Sequence, residues 1–311
     1  MRNHKRSRQL AKGKTVSSLE NLEHLKIPLN DIKQATNNFA YENIIDKGVF
    51  GVAYKGKLSW RILAFKRLTN AVGLQKTDFY NEVMFRSTIK HDNIISLVGF
   101  CDEDDEMILV LEHQAKGSLD MYLSSPRLTW WDRVDICLDI ARGLEYLQDD
   151  PQKIVLGDLK SGSIHLDESW RPKICSFNTF SNLGYVDPLY METGRATKET
   201  DIYSFGVLLF EVLCGRQATT KDEDEGWLLC RLACHHYENG TLTEIIDPIL
   251  RLQMDQDSWN VFSALAYRCL NMDPSIRPTA PMVVQELREV FIFQNGGSIP
   301  GSGTVSNSIF V

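Results

Sequence analysis

The segment "DIYSFGVLLFEVLCG", residues 201–215, is apolar around nearly its whole circumference when wound as a helix. A helix of that kind has no face for water and must be enclosed by other elements. The chain therefore needs a large body of structure to wrap it. Its 311 residues, 43% of them hydrophobic, can bury a core of that size in one or two domains. Upstream, "WWDRVDICLDIARGLEYLQ" places Val134, Leu138, Ala141 and Leu144 on one helical face. From Ile45 to Leu111 the character is different. Short strand-like runs, "GVAYKGKL", "RILAFKRL" and "MILVLEH", are broken by one helical stretch, "KTDFYNEVMFRSTI". The pattern predicts an α+β protein with a small β-rich lobe followed by a larger helical one, and a ligand site in the cleft between them.

Bulk properties exclude several classes. A net charge of -7 gives no sign of a nucleic-acid partner. No run approaches the roughly 18 apolar residues that a membrane span needs. The opening "MRNHKRSRQLAKGK" holds six Lys or Arg and no acid, but no apolar region follows, so it is not a secretory signal. Arg2 stands where N-myristoylation requires Gly. Residues 1–24 read as a basic flexible tail, a solvated arm first and a contact for acidic lipid second. Residues 294–311 read as a disordered Gly/Ser tail. Seven scattered cysteines read as reduced thiols of the cytosol. Cys230, Cys234, His235 and His236 lie close together, but no second cluster at ligand spacing accompanies them, and no metal is assigned. The acidic runs "DEDDE" (102–106) and "DEDE" (222–225) read as solvated turns, with docking of a basic partner as the second reading.

The stretch "KIVLGDLKSGSIHLDESWRPKICSFN", residues 153–178, sets an acid, Asp158, in a polar turn after an apolar run. Lys160 follows, then a short apolar strand, then a turn built on Phe177. Together with "AFK" (64–66), "FYNEV" (79–83), "GYVDPLY" (184–190) and "TDIYSFGV" (200–207), this resembles the protein-kinase domain. The lead-in "IPLNDIKQATNNF" and the closing "CLNMDPSIRPTAPMVVQEL" are similar to the plant receptor-like and receptor-like cytoplasmic kinases. The resemblance runs from Ile27 to Phe293. It implies the bilobal kinase fold, with a β-rich N-lobe over residues 25–113 and an α-helical C-lobe over 114–293.

The resemblance also implies roles. Lys66, beside Ala64, matches the strand lysine that meets the nucleotide phosphates, and Glu82 the helix acid that holds it. Gly48, Gly51 and Glu112 join them as nucleotide-binding positions. Asp158 matches the catalytic base and Lys160 its companion, both retained but vestigial. Asp201 matches the acid that braces the catalytic loop, and Phe177 and Arg277 are structural. Several positions depart from the family pattern. Asp46 replaces the first glycine of the phosphate loop, putting a carboxylate beside an anion. Leu156 and Gly157 replace His-Arg, removing the arginine that meets a phosphorylated activation loop. Ser163 and Ser176 stand where the family has the two Mg²⁺ ligands, and a hard cation wants carboxylate. His165 replaces the leucine of the pocket floor. Arg86, four residues after Glu82, can compete with Lys66 for that acid. Only 13 positions separate Ser176 from Leu189, and Leu189 replaces the glutamate that normally pairs with Arg277. A buried Arg277 then needs a substitute acid; Glu192 is the first choice and Asp187 the second.

With the metal ligands gone, charge neutralisation in phosphoryl transfer fails. The resemblance thus implies a pseudokinase serving as scaffold, adaptor or regulator of active receptor-like kinases or intracellular immune receptors. Two alternatives stay open: a weakly active Ser/Thr kinase, and an ATP-binding switch without turnover. ATP is a candidate ligand, with Mg²⁺ weak or absent. The location implied is cytoplasmic, or peripheral at the plasma membrane. The basic opening would suit a juxtamembrane stretch of a longer receptor, but the initiating Met favours a complete chain.

Overall fold

A computed structural model describes residues 22–48, 51–69, 75–149, 154–157, 159–175, 183–219 and 228–296. They form two compact units that divide between Ala115 and Lys116. The arrangement is the bilobal protein-kinase fold, a five-stranded antiparallel sheet unit followed by a helical one.

In the first unit, β1 (Ile44–Gly48), β2 (Gly51–Leu58), β3 (Arg61–Leu68), β4 (Leu97–Cys101) and β5 (Ile108–Glu112) are ordered β1-β2-β3-β5-β4. Helix α1 (Leu29–Ala35) lies against one face of this sheet, and α2 (Lys76–Thr88) intervenes between β3 and β4. Leu29 and Ile32 of α1 join Tyr54, Leu63, Phe65, Ile108 and Val110 in one apolar cluster. Gly56 makes that approach possible. A Cβ there would stand 2.6 Å from the carbonyl oxygen of Ala35. Ahead of α1, Ile27 N–H donates to Phe100 C=O at 2.9 Å. The first-turn amide of α1, Leu29 N–H, is taken by Glu103 Oε2 at 3.0 Å.

That last contact refines one expectation. The run at 102–106 is a turn with Glu103, Asp104 and Asp105 exposed, and four of its acids also have partners within the unit. Asp102 accepts from Tyr80 Oη at 2.7 Å, Glu103 caps α1, Asp105 pairs with Lys76 at 3.1 Å, and Glu106 pairs with Arg67 at 2.5 Å. Four acids of the turn tie β4–β5 to three neighbouring segments. The second run, 222–225, lies outside the described residues.

The second unit holds a small sheet of β6 (Gly117–Ser118), β7 (Ile164–Leu166) and β8 (Pro172–Ile174). Its helices are α3 (Trp130–Asp149), α4 (Pro188–Thr193), α5 (Lys198–Cys214), α6 (Leu229–Glu238), α7 (Pro248–Arg251), α8 (Gln256–Cys269) and α9 (Ala280–Gln294). Every residue of α5 from Thr200 to Cys214 is buried, as a helix apolar all round requires. Gly206 lets α8 approach α5, since a Cβ there would meet Cys269 Cβ at 2.6 Å. Helix α3 buries Val134, Leu138, Ala141 and Leu144, and Arg133 with them. The Arg133 guanidinium donates to the carbonyls of Leu128 (3.1 Å), Val212 (3.0 Å) and Leu123 (2.6 Å). Burial among these neutral acceptors lowers its pKa. Among the described residues, no helix is long and apolar enough to cross a membrane.

Candidate functional site

The nucleotide-binding positions inferred from sequence lie in the first unit. Gly48 and Gly51 face each other at the end of the β1–β2 ladder. Gly51 sits at φ +145°, and a Cβ on it would fall 2.1 Å from the Arg67 carbonyl oxygen. Glycine is therefore required there by the β2–β3 contact itself. Ala64 and Lys66 alternate along β3 and share one face of the sheet. Ala64 is buried and Lys66 half-buried. Glu112 ends β5, where its Oε1 accepts from Ser96 N–H at 2.7 Å while its own amide donates to Ser96 C=O at 3.2 Å. That carboxylate holds a backbone turn.

Glu82 and Arg86 both project from α2. Arg86 Nε donates to Glu82 Oε1 at 2.7 Å, with side-chain exposures of 3% and 26% respectively. Among the described residues this is the ion pair that Glu82 makes. A buried guanidinium one turn along the helix thus occupies the carboxylate that the family pattern directs to Lys66.

In the second unit, the loop before β7 hangs on Asp201. Its two oxygens accept from Leu156 N–H at 2.8 Å and Gly157 N–H at 2.9 Å. Asp201 is fully buried, and desolvation raises its pKa to about 7 against the opposing pull of those two amides. Gly157 has φ +71°, a left-handed conformation that disfavours the arginine of the family pattern. Leu156, Leu159, Ile164 and Leu166 are all buried and form the loop's apolar frame.

Ser163 is 1% exposed. Its Oγ donates to Lys160 C=O at 2.9 Å and accepts from Lys160 N–H at 3.0 Å. The hydroxyl closes its own turn, and Ser163 C=O takes Cys175 N–H at 2.9 Å. A neutral, buried and internally bonded hydroxyl does not fit a Mg²⁺ ligand. His165 sits mid-strand in β7, half-buried, opposite Ser118 and Lys173. Asp158, Ser176 and Phe177 lie outside the described residues.

Arg277 resolves the question of the missing glutamate, and not by the acid expected first. Its Nη1 and Nη2 form a bidentate pair with Asp187, at 2.5 and 3.1 Å. The side chains are 0% and 1% exposed. Nη1 also donates to Glu199 C=O (2.9 Å), Nε donates to Asn271 C=O (2.7 Å), and the guanidinium lies 5.0 Å from the Tyr203 ring. Glu192 is exposed on α4. Asp187 wins because it is the N-cap of α4, where its Oδ1 also accepts Leu189 N–H at 3.0 Å. That position aims its carboxylate inward, while Glu192 emerges on the helix's outer side.

One buried polar group was missed from sequence. Glu211, in the middle of enclosed α5, accepts from Tyr185 Oη and from Ala218 N–H (2.7 Å). Tyr185 Oη in turn lies 3.3 Å from Ser161 Oγ. Burial raises Glu211 to about 7 and pushes the Tyr185 phenol up as well. The signal was available: an acid inside "LLFEVL" has nowhere to go but the interior.

Residues 39–287 match the protein tyrosine and serine/threonine kinase family. The chain belongs to the protein kinases, a family that generally binds ATP with Mg²⁺, and is homologous to the plant receptor-like kinases. Among its relatives from Arabidopsis thaliana, receptor-like protein kinase HERK 1 is 34% identical over 280 residues, which is 83% of this chain and 34% of that protein. Calcium/calmodulin-regulated receptor-like kinase 1 is 35% identical over 286 residues, 86% of this chain and 63% of that protein. The chain spans only a third to under two thirds of the length of these relatives. Among solved structures, the pseudokinase domain of BIR2, described as an immune regulator of the RLK/Pelle family, superposes with a TM-score of 0.74 at 29% identity. The match covers 85% of this chain and 86% of that one.

Proposed function

We propose that this chain is a pseudokinase that acts as a scaffold, adaptor or regulator of partner signalling proteins, active receptor-like kinases or immune receptors among them. The observation that carries the reading is Ser163: neutral, buried, and with its hydroxyl bonded across its own turn. Without that ligand the charge neutralisation on which phosphoryl transfer depends is lost, and each 1.36 kcal/mol is about tenfold in rate. Sequence adds Ser176 at the second ligand position. The Glu82–Arg86 pair points the same way, since it engages the acid that would orient Lys66. The likeness to the BIR2 pseudokinase domain supports a regulatory role. All seven cysteines are free, which suits work in the cytoplasm.

The test is thermal unfolding with ATP, with and without Mg²⁺ or Mn²⁺, followed by a phosphotransfer assay beside an Asp158→Asn control. Neither shift nor transfer is the expected result. A shift without transfer makes the chain a nucleotide-held switch. Transfer that the Asp158→Asn change abolishes refutes the proposal.

A further inference from the structure

The β2–β3 hairpin closes through Ser59 and Trp60, with Leu58 opposite Arg61 and Lys57 opposite Ile62. Ser59 turns in the left-handed region at φ +55°. Trp60 is 82% exposed at the tip and Ile62 50% exposed beside it. Arg61 lies 6.0 Å from the Trp60 ring, and Lys55 and Lys57 are exposed along β2.

The charge around this tip is one-sided. Between Asp46 and Asp78 the sequence holds seven Lys or Arg and no acid, in a chain whose net charge is -7. Cations further along are neutralised, Arg67 by Glu106 and Lys76 by Asp105. Among the described residues, Lys55, Lys57 and Arg61 have no such acid partner.

We propose that this hairpin tip is an insertion point for an anionic lipid surface. Trp60 would enter the headgroup layer, with the three cations against the lipid phosphates and carboxylates. Indole prefers the membrane–water boundary, and each Lys or Arg near an acidic leaflet adds attraction that falls off within a Debye length. The shape argues against a protein partner. A specific protein interface needs roughly 800 Å² from each side, and one tryptophan supplies roughly 150–250 Å². A two-residue turn is too narrow to provide the rest. A lipid surface requires no matching contour.

The test is co-sedimentation of the full chain with vesicles of phosphatidylcholine alone or with added phosphatidylserine, across a salt series. Binding is expected only with phosphatidylserine and weakens as salt rises. Lys55→Gln/Lys57→Gln/Arg61→Gln is expected to weaken it roughly 10²-fold, and Trp60→Ala about tenfold. Both variants keep the wild-type melting temperature, because the changed side chains are exposed. No binding, or binding that neither variant alters, overturns the proposal. So does capture by immobilised polyglutamate, lost in the triple variant, without binding to the vesicles; that outcome assigns the tip to an acidic protein.

Discussion

The Glu82–Arg86 pair makes an asymmetric prediction. Arg86 is 3% exposed at its side chain and Glu82 26%, so the two partners stand differently toward water. At about 4 Å and an effective dielectric of about 20, their gross attraction is about 4 kcal/mol. Glu82→Gln removes the carboxylate that the buried Arg86 guanidinium meets at 2.7 Å. Stranding one member of a buried pair costs about 3–5 kcal/mol. Because Glu82 is partly exposed, the expected loss is nearer about 2–4 kcal/mol. At about 2–4 °C per kcal/mol for a domain of this size, Tm falls by roughly 4–16 °C. Arg86→Leu is the opposite case. The buried charge is replaced by an apolar chain of similar reach, and Glu82 can turn to water. The expected change is within about 1 kcal/mol of neutral. Differential scanning fluorimetry on both variants and the double variant decides the matter. If Arg86→Leu destabilises as much as Glu82→Gln, Arg86 is not held for the sake of its charge, and the reasoning is wrong.

Further predictions concern the second unit. Asp187→Ala is expected to cost about 3–5 kcal/mol by urea denaturation, because it strands fully buried Arg277. Glu192→Ala, on an exposed site, stays within about 0.5 kcal/mol; equal effects would undo the assignment. Burial holds the Glu211 carboxyl at about 7 in the folded protein, against an ordinary 4.5. The native state therefore keeps a proton that the unfolded chain has released. The stability linked to this group is complete below pH 4.5 and is lost as pH rises through 7. Glu211→Gln should accordingly gain on wild type between those pH values, and a pH-independent difference in Tm would contradict the shift. Gly157→Arg, which reinstates the family's arginine, is expected to lose at least about 1–2 kcal/mol from left-handed strain alone. Unchanged stability in a chemical melt would show that the turn relaxes freely.

Much of this molecule was legible from its residues because periodicity and burial follow one rule. The enclosed character of 201–215 and the apolar face of 130–148 needed no partner to be recognised. The Arg86–Glu82 pair was equally readable, since i,i+4 spacing places both side chains on one helix face. Arg277 marks where such reading stops. Its need for an acid follows from charge and burial, but the choice of Asp187 over Glu192 depends on where the chain enters α4. Ser163 is harder still. A serine in a polar turn can offer its hydroxyl outward or inward, and only the fold shows it closed on Lys160. The acidic run at 102–106 is the exposed turn its composition implies, but its partners Lys76, Arg67, Tyr80 and the Leu29 amide come from distant parts of the chain and could not be read from it.

Helix α1 carries a practical consequence. The family match begins at residue 39, yet Leu29 and Ile32 lie in the same apolar cluster as Phe65, and the Gly56 surface is shaped to the Ala35 backbone. A recombinant fragment cut at the recognised kinase boundary would uncover Phe65 and Tyr54 and leave Glu103 without its amide. Such a fragment is expected to be recovered as aggregate, while one begun at residue 22 stays in solution. The working domain of this protein starts a helix earlier than its family signature.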